Sequence, residues 1–205
     1  MSRIDDVLGY WFDQAGDDQV INPHHPCYQR WFKGGERIDK EIESEFRSDV
    51  EATRGGEYDD WEGKPRGALA LTILLDQFPR HIYRGDARAF DSDAAGHALA
   101  RRLIAQGADE NYPLVERVFL YLPIQHSEAI RDHELAVERY MRLVILATER
   151  QLPISSFCHA ALVSEIEHVD TLREFGRYCY RNPALGRTST SGEEVYLAKR
   201  AAPPA

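Results

Sequence analysis

Residues 65–80 read Pro65-Arg66-Gly67-Ala68-Leu69-Ala70-Leu71-Thr72-Ile73-Leu74-Leu75-Asp76-Gln77-Phe78-Pro79-Arg80. Ala68, Leu69, Leu71, Ile73, Leu74 and Leu75 leave no polar face at a period of 3.6, so a helix over 65–78 is apolar nearly all round and belongs at the centre of the molecule. Working outward, residues 36–54 make an amphipathic helix. Ile38, Ile42, Phe46 and Val50 recur every four residues, and Gly55-Gly56 ends it. A first helix over 2–12 is capped by Ser2 and carries Ile4, Val7, Leu8, Trp11 and Phe12. The loop between them, broken by Gly16, Asn22, Pro23 and Pro26, delivers an aromatic group, Tyr28, Trp31 and Phe32, to Gly34-Gly35.

Beyond the central segment, Asp91 or Ser92 caps a helix that runs to Gly107. Residues 113–121 form another, expected to end before Pro123. A long helix over 129–150 is stopped by Pro153, and the next runs from Ser155 or Ser156 to about Phe175. Residues 176–192 are irregular, 193–200 form a short last helix, and 201–205 read as a loose tail. No stretch alternates with a period of two over several strands, so a sheet is not expected. The expected fold is all-α: antiparallel helix pairs in one domain over 1–200, without a repeat of fixed period.

The chain has 205 residues and a net charge of −9, which opposes binding to phosphate backbones or anionic lipid without a local basic patch. Nucleic-acid and membrane partners are therefore not expected. Cys27, Cys158 and Cys179 are odd in number and widely spaced, which fits reduced thiols better than a disulfide framework. Asp5 and Asp6 interrupt the first residues, so no signal peptide is read there, and no run of apolar residues reaches membrane-spanning length. The expectation is a soluble, cytoplasmic protein; the sequence does not reveal its oligomeric state.

Several strings resemble one family. They are Leu74-Leu75-Asp76-Gln77-Phe78-Pro79-Arg80, Ile82-Tyr83-Arg84-Gly85, Ala89-Phe90, Phe119-Leu120-Tyr121-Leu122-Pro123 and His126-Ser127-Glu128. His168, Phe175-Gly176-Arg177, Arg181-Asn182 and Leu185-Gly186-Arg187 continue them in order. Together they resemble bacterial domain-of-unknown-function family 924. The resemblance implies a tetratricopeptide-like stack of helices and supplies no reaction. Against the family pattern, His81 stands in place of Asn, His133 in place of Gln, and Cys179-Tyr180 in place of a Pro-His pair. Ser191-Gly192 adds a residue before Glu193-Glu194.

Four groups of residues carry chemical potential. Asp76 and Arg80 are four apart on one helix face, with Gln77 between them. They either close the helix end as a structural pair or grip a ligand carboxylate or phosphate. His126-Ser127-Glu128 are adjacent and point apart, so they form no triad alone. Ser127 suits a cap, and His126 suits a proton carrier. Glu165 and His168 have the spacing of a di-metal bundle motif but occur once, and His24-His25-Pro26-Cys27 lies in a broken loop, so no metal is expected. Finally, Arg173, Arg177, Arg181 and Arg187 concentrate positive charge near Ser189 and Thr190. They suit an anion site or, equally, ion pairs to neighbouring glutamates.

No P-loop, dinucleotide fingerprint or nucleophile elbow occurs, and no cofactor is implied. The favoured reading is a helical binding protein that holds a small anion or acidic peptide. Its ligand-binding residues would be Gln77, Arg80, His168, Arg177, Arg181, Asn182 and Arg187. The alternative is an enzyme on a small phosphate- or carboxylate-bearing substrate, with His126 moving the proton and Asp76 or Glu128 orienting it. A third reading is a purely structural module. Convergence discriminates among them: Gln77, Arg80, His126, His168 and Arg177 meeting in one enclosed pocket would favour the enzyme, an open groove the binder, and separate burial in pairs the structural module.

Overall fold

The structure, a computed structural model, describes residues 2–201. Helix α1, Arg3–Phe12, starts in a reciprocal cap: the Ser2 hydroxyl accepts from the Asp5 N–H, and the Asp5 carboxylate accepts from the Ser2 N–H. The short α2, Pro26–Tyr28, continues through a π-helical segment at Gln29–Lys33 to α3, Gly35–Arg54. Then α4, Pro65–Thr72, a second π-helical segment, Ile73–Gln77, and α5, Phe78–Ile82, form one rod. The remaining helices are α6, Asp93–Ala105, α7, Leu114–Gln125, α8, His133–Glu149, α9, Ser155–Phe175, and α10, Ser191–Ala201. The fold is all-α: the described residues contain no strand, and no helix among them is long and apolar enough to cross a membrane.

The central helix extends past its expected end at Phe78, through Pro79 to Ile82. Proline lacks an N–H for the carbonyl four residues back and its ring clashes with that group, which here belongs to Leu75. The widened π-helical segment relieves both problems, with the Phe78 N–H on the Ile73 carbonyl. The freed Leu75 carbonyl accepts a 2.6 Å hydrogen bond from the Ser92 hydroxyl. Ser92 therefore sits at the start of α6, as expected, yet its side chain ties α6 to the rod and makes no cap.

Pro123 likewise lies inside α7 and does not precede its end. α7 is packed by α4, α6, α8 and α9, and this burial outweighs the local cost of the proline. Gly96 of α6 sits close to both sites, where a Cβ would lie 3.6 Å from Leu75 and 3.7 Å from Pro123. Ser127 caps a turn and not a helix: it accepts from the Ala129 N–H and donates to Asp132, ahead of a 3-10 turn at Ile130–Asp132 and then α8. The last helix begins earlier than expected, because Thr190 and Glu193 exchange backbone-to-side-chain bonds across its first turn. It also includes Ala201, expected in the tail; the rest of that expectation, 202–205, lies outside the described residues.

From α6 to α9 each helix packs antiparallel on the next. The Tyr140 hydroxyl of α8 donates to the Val118 carbonyl of α7, and His133 at the start of α8 meets Glu165 of α9. In the amino-terminal half, α1 lies on α4, and α3 lies on α5. One apolar core runs through both halves, from Val7 to Cys158. At its middle, Trp11 meets the edges of Phe78 and Phe119, and its carbonyl accepts from Trp31 Nε1 at 2.9 Å. This aromatic cluster fastens the Gln29–Lys33 segment beside the polar ends of the rod and of α7.

Candidate functional site

Where those ends meet, a cavity of about 670 Å³ opens. The rod contributes Gln77, Arg80 and His81, with Arg84 just beyond it. α7 contributes Leu122, Gln125 and the adjoining His126, and α9 contributes Ser164 and His168. Trp31, Phe32 and Lys33 form the opposite wall, and Gly34-Gly35 its rim.

Asp76 is fully buried at the base of this wall. Its Oδ1 lies 2.7 Å from His126 Nδ1 and 3.2 Å from Arg80 Nη1, and its Oδ2 accepts from the Gln77 amide. Burial pushes the Asp76 carboxyl up, but the Arg80 charge, His126 and the Gln77 amide outweigh it and hold it at about 2. The same burial, together with the adjacent Arg80 charge, lowers His126 to about 4 against the pull of Asp76. His126 is therefore neutral at pH 7 and donates its Nδ1–H to Asp76. Its Nε2 lone pair has no hydrogen-bond partner among the described residues, and the residue lines both this cavity and the hollow beside Phe90 and Tyr180.

Two further histidines follow the same rule. His81 Nδ1 lies 2.8 Å from Asp39, whose carboxylate also takes both Nε and Nη2 of Arg84 at 2.6 and 2.7 Å. His168 Nδ1 donates to the Ser164 carbonyl at 2.7 Å. Burial lowers both pKa values, so both rings are neutral with Nδ1 engaged and Nε2 free. The Gln125 amide donates to Ser164 Oγ at 3.0 Å and lies 3.1 Å from His168 Nδ1. Behind the wall, Asp93 takes Arg80 at 2.9 Å and Arg181 at 3.3 Å, and Arg181 also donates to the His126 carbonyl at 3.0 Å. Lys33 has no ion pair among the described residues.

The structure thus brings together Asp76, Gln77, Arg80, His126 and His168, which lie on three separate chain segments. Arg181 supports the group from behind and opens onto a second hollow of about 390 Å³, where Phe90 and Tyr180 are its neighbours. The other expected residues lie elsewhere. Glu128 accepts from both Nη atoms of Arg187, at 2.8 and 3.0 Å, and from the Tyr178 N–H, so it orients no group in the cavity. Arg177 makes a two-point pair with Glu193 at 2.7 and 2.9 Å, and Asn182 donates to Ser189 and Glu193. The carboxy-terminal arginines do not form one cluster: Arg173 lies by Asp170 of its own helix, Arg177 by Glu193 of α10, and only Arg181 and Arg187 tie the irregular segment to the body, through Asp93 and Glu128.

Glu165 and His168 point apart: Glu165 is buried against His133 Nδ1 at 2.7 Å, while His168 faces the cavity. Among the described residues no group of three or more His, Cys, Asp or Glu side chains is arranged to hold a metal ion. Cys27, Cys158 and Cys179 are buried free thiols outside the cavity. Reasoning from sequence missed His81, Arg84, Gln125, Ser164, Lys33 and Asp39. His81 and Arg84 stand within four residues of Arg80, and Gln125 adjoins His126, so proximity to known motif strings was the available signal. Asp39 and Lys33 gave none.

Residues 7–201 match the family described as bacterial protein of unknown function, DUF924. A solved structure of a protein of unknown function, ATU0120, from Agrobacterium tumefaciens is similar at 29% identity and a TM-score of 0.75. The match covers 96% of this chain and 97% of that one. No curated protein matches. With nearly its whole length accounted for in this way, the chain belongs to the DUF924 family of bacterial proteins.

Proposed function

We propose that the protein is an enzyme that performs general acid–base chemistry on a small anionic molecule, with His126 as the proton-transfer group. One observation carries this reading: the Nδ1–H of His126 is held by the buried carboxylate of Asp76, its Nε2 has no hydrogen-bond partner among the described residues, and the residue lines a cavity large enough for a substrate. A buried carboxylate on Nδ1 sets the tautomer and ring orientation and stabilises the imidazolium once a proton is taken. The cavity lining holds no cysteine, and its one serine, Ser164, accepts from Gln125. Proton transfer to or from water or the substrate itself is thus supported better than covalent catalysis.

Charge supports an anionic substrate. Lys33, Arg80, Arg84 and Arg181 stand at or behind the cavity against the carboxylates of Asp39, Asp76 and Asp93. This excess of positive charge occurs in a chain of net charge −9. Burial first, and the Arg80 charge after it, hold His126 at about 4; an anion placed here offsets the Arg80 part and makes His126 more basic where a base is needed. Arg177 and Arg187 are paired to Glu193 and Glu128 away from this cavity.

The test is a thermal-shift screen with small carboxylates and organic phosphates, followed by turnover assays on the compounds that bind. Saturating anion is expected to raise the melting temperature. The His126→Gln variant should bind the same compound without turning it over. Absence of any anion-induced shift, or full turnover by His126→Gln, overturns the reading.

A further inference from the structure

Beside the polar cavity lies a recess of about 220 Å³ whose character is different. Its walls are Val118 and Leu122 of α7, Phe157, Ala160 and Ala161 of α9, and Tyr28 beside Phe32. The recess is not a separate hole. Phe32, Lys33, Leu122, Gln125 and Ser164 border both spaces, so the recess opens directly off the site of His126. Polar groups lie on the shared border, and the far wall is apolar. Phe32 stands at the junction, 46% exposed despite its size and 5.0 Å from Tyr28, so an aromatic face remains uncovered by the protein's own core.

From this we infer that the substrate has two parts: an anionic head, carboxylate or phosphate, in the cavity of Lys33, Arg84 and His126, and an apolar substituent in the Phe32–Phe157–Ala160 recess. The inference rests on the acid–base reading of the cavity and adds the class of molecule that it takes. Size sets the substituent. A dry apolar cavity of about 150 Å³ admits a benzene ring, so this recess suits a phenyl group or a chain of about four to six carbons. Ala160 and Ala161 matter because they are small. They border the recess and not the cavity, and larger side chains there fill the space the substituent needs.

The experiment is a calorimetric titration of the full chain with two ladders of probes. One runs acetate, butanoate, hexanoate and phenylacetate; the other runs methyl, butyl and phenyl phosphate. Affinity is expected to rise along a ladder by about fourfold per methylene, the factor that corresponds to ~0.8 kcal/mol per buried CH₂. The ladder that binds identifies the head. Ala160→Phe should remove the gain from the longer members and leave the shortest anion's affinity unchanged. Ala161→Leu, a smaller change, serves if the first variant does not fold. Affinity that is flat along both ladders, or that climbs equally in the filled variants, overturns the two-part substrate and leaves the acid–base reading standing. No binding by any probe overturns both.

Discussion

His126 Nδ1 and Asp76 Oδ1 are 2.7 Å apart although 50 residues separate them in the chain. Asp76 is at the end of the π-helical segment of the rod, and His126 caps the carboxyl end of α7. The contact exists because two prolines are tolerated. Pro79 accompanies the widened turn that carries Asp76 and Gln77, and Pro123 lies three residues before His126 inside a helix held by its neighbours. Asp76 then serves three groups at once, and much of the site's energetics follows from that.

Replacing Asp76 by Asn keeps the size of the side chain but removes the charge facing Arg80. Arg80 retains Asp93, so the protein should fold, at a cost of about 3 kcal/mol for a buried ion pair that loses one member. His126 loses the partner that fixes its tautomer, and turnover should fall much further than ligand affinity. Urea unfolding, together with separate measurement of kcat and KM, checks both halves.

Acid should destabilise the protein in two stages. His126 titrates near 6.5 when unfolded and at about 4 when folded, so between those values the unfolded chain binds the additional proton. Stability is therefore lost as pH falls from 6.5 to 4, by on the order of 3 kcal/mol at about 1.4 kcal/mol per unit. Asp76 has an ordinary value of 3.8 and a folded value of about 2. Its contribution is present above 3.8 and disappears as pH falls toward 2. Urea midpoints taken across this range should show a shallower upper limb in His126→Gln. The remaining slope would come from His81 and His168, which burial also lowers, opposed by His133, where burial is outweighed by the bonds to Glu165 and the Ser127 carbonyl and the pKa is raised.

Binding of an anion should draw in a proton. Placed by Arg80, the anion raises the His126 pKa above its free-protein value of about 4, so the complex holds more protons than the free protein at mildly acid pH. Affinity should increase as pH falls from 7 toward 5. Heats of binding should also vary with the ionisation enthalpy of the buffer. A binding heat that does not vary with buffer, in a protein that does bind the anion, would remove His126 from contact with its charge.

Arg177→Ala and Arg187→Ala should leave the affinity for small anions unchanged. Arg177 holds Glu193, which also accepts from the Thr190 N–H at the start of α10, and Arg187 holds Glu128 and the Tyr178 carbonyl. Their loss should loosen α10 and the segment 176–190, seen as faster amide exchange there, while exchange in α7 and α9 stays unchanged. Anion affinity lost in either variant, with the fold intact, would move the site toward the carboxyl end.

Helicity and the central place of residues 65–78 were legible in the amino-acid pattern, because apolar period and capping chemistry act over a few residues. Asp76, Gln77, Arg80 and His126 stood out as candidates as well, from the motif strings that hold them. Their roles were not legible. Whether Arg181 faces Asp93 or a ligand, whether Glu128 serves His126 or Arg187, and whether Glu165 joins His168 or His133 all depend on contacts between distant segments. The two internal prolines show the same limit. Locally each reads as a stop, and only packing against neighbouring helices, with Ser92 taking the carbonyl that Pro79 releases, lets the rod and α7 continue to the cavity. Sequence thus determined the helices and their buried faces, which are short-range properties. Tertiary structure decided which polar side chains meet, because in a buried network each charge takes the partner that packing brings within hydrogen-bond distance.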